Sequence, residues 1–148
     1  FICGRVALRS SLQTEIDLPP VLRTSRGAPQ IPPPAIGSIS HKLNFAAAVG
    51  KIVSPNASCS IGVDLETTTS SKYEISRRIL TADENLSLVT LHHSPPFDEV
   101  KLRFSLKESL YKALHHYISR HIAFKEVSTS KIHPCMQRTI TLTSYVHR

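Results

Sequence analysis

The chain has 148 residues, enough for one ordinary domain or two small lobes. Lys and Arg number 18 against 11 Asp and Glu, a formal charge of +7, and 41% of the residues are hydrophobic. That composition excludes a disordered polar chain and favours an anionic partner: nucleic acid, a phosphate-rich small molecule or an acidic protein. Cys3, Cys59 and Cys135 lie far apart and suggest neither a disulfide framework nor a CxxC metal motif, so a reducing, cytoplasmic setting is expected. The histidine pairs His92-His93 and His115-His116 lack ligand spacing and read as solvated surface. No apolar run is long enough to span a membrane, so no stable membrane insertion is expected. The chain begins at Phe1 with no initiator methionine or signal-peptide pattern, and an N-terminal lobe truncated at its start is expected.

Residues 1–13 read as a helix with Ile2, Val6, Leu8 and Leu12 as its apolar members. Arg5 and Arg9 stand at i, i+4 and repel unless an anion lies near them. Six prolines make residues 17–36 an extended loop, which carries Arg23, Arg26 and Gly27. Residues 36–41 and 45–53 read as two strands joined by a tight turn, with small residues that let another element approach closely. After a turn at 54–58, alternation in Cys59–Glu66 predicts a third strand. Its Gly62, Asp64 and Glu66 share one face. A helix is expected over 73–80. Thr81 and Glu84 form a capping box that opens another over 82–92, broken by Ser94-Pro95-Pro96. A long helix runs from Asp98 to His121, and strands are expected at 123–127 and 139–146.

On that long helix, Phe104, Leu106, Leu110, Tyr111 and Leu114 belong to an apolar arc covering about half the circumference. Lys107 points into this arc, and snorkelling to solvent is the plain reading. Glu108 and Lys112 are one turn apart, as in a surface ion pair. Asp64 and Glu66, roughly 6.5–7 Å apart along a strand, can both reach one hard cation, or can simply face solvent. Ser38, Ser40 and His41 offer hydrogen bonds beside a turn. They lack the setting of a hydrolase nucleophile elbow. Taken residue by residue, these alternatives stay open.

Taken together, the pieces resemble the 4′-phosphopantetheinyl transferases of the surfactin- and enterobactin-synthase type. Gly37-Ser38-Ile39-Ser40-His41 is similar to that family's Gly-Ser-x-Ser-His motif, Gly62-Val63-Asp64-Leu65-Glu66 to its Gly-[Ile/Val]-Asp-x-Glu motif, and Phe104–Ala113 to its [Phe/Trp]-Ser-x-Lys-Glu-[Ser/Ala]-x-x-Lys-Ala motif. Gly4-Arg5, Arg26-Gly27-Ala28-Pro29 and Arg78–Glu84 match more weakly, and Ile31 stands where the family often has Trp.

The resemblance implies transfer of the phosphopantetheine arm of coenzyme A to a serine of an acyl or peptidyl carrier protein. Such carriers serve siderophore, polyketide or nonribosomal peptide biosynthesis. It implies Mg²⁺ held by Asp64, Glu66 and Glu108, with Glu108 taking the serine proton and Lys112 meeting the bridging or leaving phosphate. It places Lys107, Ser40 and His41 at phosphates, and Arg5, Arg9 and Arg26 around the nucleotide end. The expected fold is α+β: two pseudo-symmetric lobes, 1–58 and 59–148, each a small antiparallel sheet packed with helix, with the active site in the cleft between them. A monomer is expected. The alternative function is an inactive family copy that binds coenzyme A or a carrier protein. A nucleic-acid binder is disfavoured by the 6% aromatic content and the scattered Lys and Arg.

Overall fold

Every fourth residue of the first helix, Gly4, Leu8 and Leu12, is buried, and this stripe organises the N-terminal part of the chain. The computed structural model describes residues 2–12, 19–25, 27–67, 75–88, 98–118, 120–129 and 144–146. These form a mixed α/β chain of small antiparallel sheets and helices. The chain divides into two compact units, Phe1–Leu65 with Glu108–Ser119, and Glu66–Lys107 with Arg120–Arg148.

In the first unit, α1 (Ile2–Leu12) packs on the hairpin of β3 (Ala35–Lys42) and β4 (Phe45–Ile52). At 100° per residue, Ile2 and Val6 fall opposite the Gly4–Leu8–Leu12 stripe, so both are exposed rather than core. The hairpin pairs Ala35 with Ile52, Gly37 with Gly50 and Ile39 with Ala48, and these residues share the face that meets α1. A Cβ at Gly50 would come within 2.8 Å of Leu12 Cδ2, so the small side chains set how closely the helix approaches. Leu8, Leu12, Val21 and Ala35 make the core, with Ile31, Ile39, Ala48 and Ile52 against it. The tight turn at Leu43-Asn44 forms as expected, with Leu43 in the left-handed region at φ 53°.

Within the proline-rich segment, β1 (Leu22–Arg23) pairs antiparallel with β2 (Pro29–Gln30). The connecting loop closes through Gly27 N–H on Thr24 O (2.9 Å) and Thr24 N–H on Ala28 O (2.9 Å). Gly27 takes φ +88°, a conformation that an L side chain resists.

The strand expected over 59–66 does not form: residues 57–67 carry no regular secondary structure. The segment is anchored sideways instead. Leu65 N–H donates to the Ser40 hydroxyl (3.2 Å), and Gly62 lies directly on the backbone of Ser109 and Ala113. A side chain at position 62 would collide with the Ser109 carbonyl, so the bare face expected there does mark a close approach.

In the second unit, α2 (Ser76–Ile79) is followed by α3 (Ala82–Leu86), opened by the Thr81–Glu84 capping box as read from the sequence. The start of α4 (Glu99–Leu114) is capped by Asp98, whose carboxylate accepts from Lys101 N–H (3.2 Å). α4 stops at Leu114 rather than His121, and its last turn is tightened by the Tyr117 amide, which bonds Leu114 O three residues back (2.8 Å). A short 3₁₀ turn (Phe124–Glu126) leads into β5 (Val127–Thr129), which pairs antiparallel with β6 (Ser144–Val146). Residues 68–74, 89–97 and 130–143, where parts of the expected helices and the last strand fall, lie outside the described residues.

Candidate functional site

The alternation of β3 sends Ser38 and Ser40 to the face away from α1, and both are buried. There the Ser40 hydroxyl donates to Asp64 Oδ1 (2.9 Å), while Lys112 Nζ reaches both Asp64 Oδ1 (2.6 Å) and Ser40 Oγ (3.0 Å). The Asp64 side chain is 7% exposed and that of Lys112 26%, so this ion pair is drier than a surface one. The expected Glu108–Lys112 pair is thus replaced by Lys112–Asp64. Residues from three separate stretches, 40, 64 and 112, meet in one cluster inside the first unit.

Two pockets of about 250 Å³ each lie in the same unit and share Gly27, Pro29 and Ile39 in their walls. One is lined by Arg5, Arg23 and His41, the other by Lys112, Tyr111, His115 and His116. No Asp or Glu is among the described lining residues of either, so both walls suit an anionic ligand. Ser40 and His41, adjacent in sequence, serve opposite faces: His41 joins Arg5, and Ser40 joins Lys112. The sequence named Arg23 in the loop without a site role, and it placed the His115-His116 pair at the surface, where His116 is indeed exposed while both rings line a pocket. Only the fold could show that helix end beside a pocket.

Of the remaining candidates, Arg9 is exposed and donates to Pro19 O (3.3 Å), and Arg26 lies outside the described residues. Glu108 and Glu66 are half-buried, and Glu66 counts with the second unit. Among the described residues, no three of His, Cys, Asp or Glu gather closely enough to share one ion. The donor chemistry still suits a hard divalent cation, which commonly takes one or two carboxylates and completes its shell with substrate phosphates.

Lys107 does not snorkel to solvent; its ammonium is turned to acceptors within the protein. It is 3% exposed, and Nζ donates to Ile79 O (2.7 Å), Glu84 Oε2 (2.6 Å) and Phe124 O (3.0 Å), which uses its three protons. Glu84, 2% exposed, also accepts from Thr81 N–H and, on its other oxygen, from the amide and hydroxyl of Thr129. Arg103 bridges Glu99 (2.7 Å) to the carbonyl and hydroxyl of Thr129. Two carboxylates and two cations therefore balance inside the second unit.

Burial would raise the Glu84 carboxyl, but hydrogen bonds from Lys107, Thr129 and Thr81 hold it down at about 2. Burial pulls the Lys107 ammonium below its usual range, an effect that Glu84 only partly offsets. The most buried residues of α4 are thus Glu99, Arg103 and Lys107, not the leucine arc. Their spacing of four was the available signal.

The chain belongs to the 4′-phosphopantetheinyl transferase superfamily, whose family model matches residues 60–146. The 4′-phosphopantetheinyl transferase N-terminal domain matches residues 1–50. A comparison with curated proteins returns no match. Among the described residues, no helix is long and apolar enough to cross a membrane.

Proposed function

We propose that the chain is a phosphopantetheinyl transferase of the surfactin/enterobactin-synthase type. It moves the phosphopantetheine arm of coenzyme A to a serine of an acyl or peptidyl carrier protein with the help of Mg²⁺. The observation that carries this reading is the Ser40–Asp64–Lys112 cluster, because each member comes from a different motif and all three meet within hydrogen-bond distance. The serine oxygen attacks the phosphorus on the pantetheine side of the pyrophosphate. The bond from that phosphorus to the bridging oxygen breaks, and adenosine 3′,5′-bisphosphate leaves. Glu108 takes the serine proton. Lys112, fixed by Asp64 and Ser40, is a preorganised cation for the charge that grows on the leaving oxygen. Arg5 and His41, with Arg9 and Arg26 from the same stretches, hold the nucleotide end. One or two of the carboxylates Asp64, Glu66 and Glu108 would hold Mg²⁺, with substrate phosphates completing its shell, and the ion when bound neutralises and orients the pyrophosphate.

The test is incubation with coenzyme A, Mg²⁺ and an apo-carrier protein, read by mass spectrometry. The carrier should gain one phosphopantetheine arm. Asp64→Asn and Glu108→Gln, which keep side-chain shape, should each abolish that gain. Near-normal turnover in either would remove the assigned role. Coenzyme A binding without transfer under any divalent ion would instead favour the inactive binding module.

A further inference from the structure

The pocket that starts at Lys112 continues onto two residues outside the three motifs. His115 and His116 directly follow α4, in a turn closed by the amides of Tyr117 (2.8 Å) and Ile118 (3.2 Å) on Leu114 O. Both imidazoles line the pocket and touch edge to face, with ring centroids 4.0 Å apart. Among the described lining residues of this pocket, the other titratable groups are Tyr111 and Lys112 from α4, and Lys112 is paired with Asp64. The described lining residues from the 27–29 stretch and from β3 (Gly37, Ser38 and Ile39) carry no charge. Two touching imidazoles repel when both are protonated, and an anion lodged beside them cancels that repulsion. Imidazole is also the side chain that ordinarily changes charge between pH 5 and 8.

We propose that His115 and His116 form a proton-dependent clamp on the anionic ligand of this pocket. The inference rests on the transferase reading for the identity of that ligand, coenzyme A. By linkage, a pair that takes up a proton as the anion binds must bind the anion more tightly as pH falls. The effect reaches up to about tenfold per pH unit for one coupled proton.

The test is calorimetric titration of coenzyme A into the wild-type chain and H115N/H116N at pH 6 and pH 8. The free ligand's phosphate, with a second pKa near about 6, titrates identically in both experiments, so the free-state contribution cancels in the comparison. Wild type should gain several-fold more affinity than the variant between pH 8 and pH 6, and a difference in proton uptake should appear in buffers of unlike ionisation heat. Equal pH dependence in the two proteins overturns the clamp and leaves the transferase assay untouched. Absence of coenzyme A binding by wild type at both pH values overturns the clamp together with the transferase reading. A pH effect lost in the variant, with no transfer to a carrier, keeps the clamp and removes only the activity. If the double variant fails to fold, H116N, at the exposed ring, supports the same comparison.

Discussion

Replacing Lys107 separates two roles for it that the motif cannot tell apart. Lys107→Met keeps the length of the side chain and removes the charge. Glu84 would then be a buried carboxylate without its ammonium partner, and the carbonyls of Ile79 and Phe124 would lose a donor. Removing one member of a buried ion pair costs about 3–5 kcal/mol, so the urea midpoint should fall by roughly 2 M at a slope of about 2 kcal/mol per M. Total stabilities are commonly about 5–15 kcal/mol, so the variant should stand near the edge of folding. Glu84→Gln/Lys107→Met should recover part of the loss, because it leaves no unpaired charge. Equilibrium urea unfolding of the wild type, both single variants and the double variant closes the cycle. The reasoning fails if Lys107→Met unfolds within about 0.5 kcal/mol of wild type while losing affinity for coenzyme A. Lys107 would then be a phosphate ligand, as the resemblance implies.

Glu84, with its carboxyl held at about 2 against an ordinary 4.5, should contribute stability that is complete above pH 4.5 and disappears as pH falls through 2, at most about 3 kcal/mol. The exposed Glu126 carboxyl, lowered to about 2 by Arg120, titrates in the same window. The Glu84 share is therefore the difference between wild type and Glu84→Gln, and parallel acid curves would contradict it. Gly62→Ala should cost about 2 kcal/mol or more, because the new Cβ meets backbone rather than a side chain that can yield, and an unchanged urea midpoint would refute that contact. Leu43→Gly should stabilise by about 0.5–1 kcal/mol, relieving a left-handed leucine that is 82% exposed, and a lowered melting temperature would contradict the turn geometry.

Local rules made part of the fold legible. The β3–β4 hairpin followed from two runs flanking Leu43-Asn44, and α3 from the Thr81–Glu84 box, since turn and cap chemistry act within a few residues. The alternation in Cys59–Glu66 misled because it is also the pattern of a segment held at alternate points by its surroundings. Gly62 rests on α4, and Leu65 N–H bonds a serine side chain, so the backbone amides build no ladder. The extent of α4 was overstated because periodicity continues through Tyr117 and Ile118 after the backbone has turned at Leu114.

The candidate site was legible through motif order, which brought Ser40, Asp64 and Lys112 into one list before any geometry was known. Side-chain polarity alone could not say which lysine was structural. Lys107 and Lys112 lie five residues apart, so they leave the helix about 140° from each other and cannot serve one ligand face equally. Lys107 is surrounded by carbonyls and a carboxylate at 2.6–3.0 Å, with 3% of its surface exposed. Lys112 keeps 26% of its side chain open and lines a pocket. A charge that is sealed and fully hydrogen-bonded acts on stability. A charge that is held in place by Asp64 and still accessible can act on a ligand. The same six-residue motif segment, 107–112, therefore carries one lysine of each kind, and burial, which no single sequence displays, is what separates them.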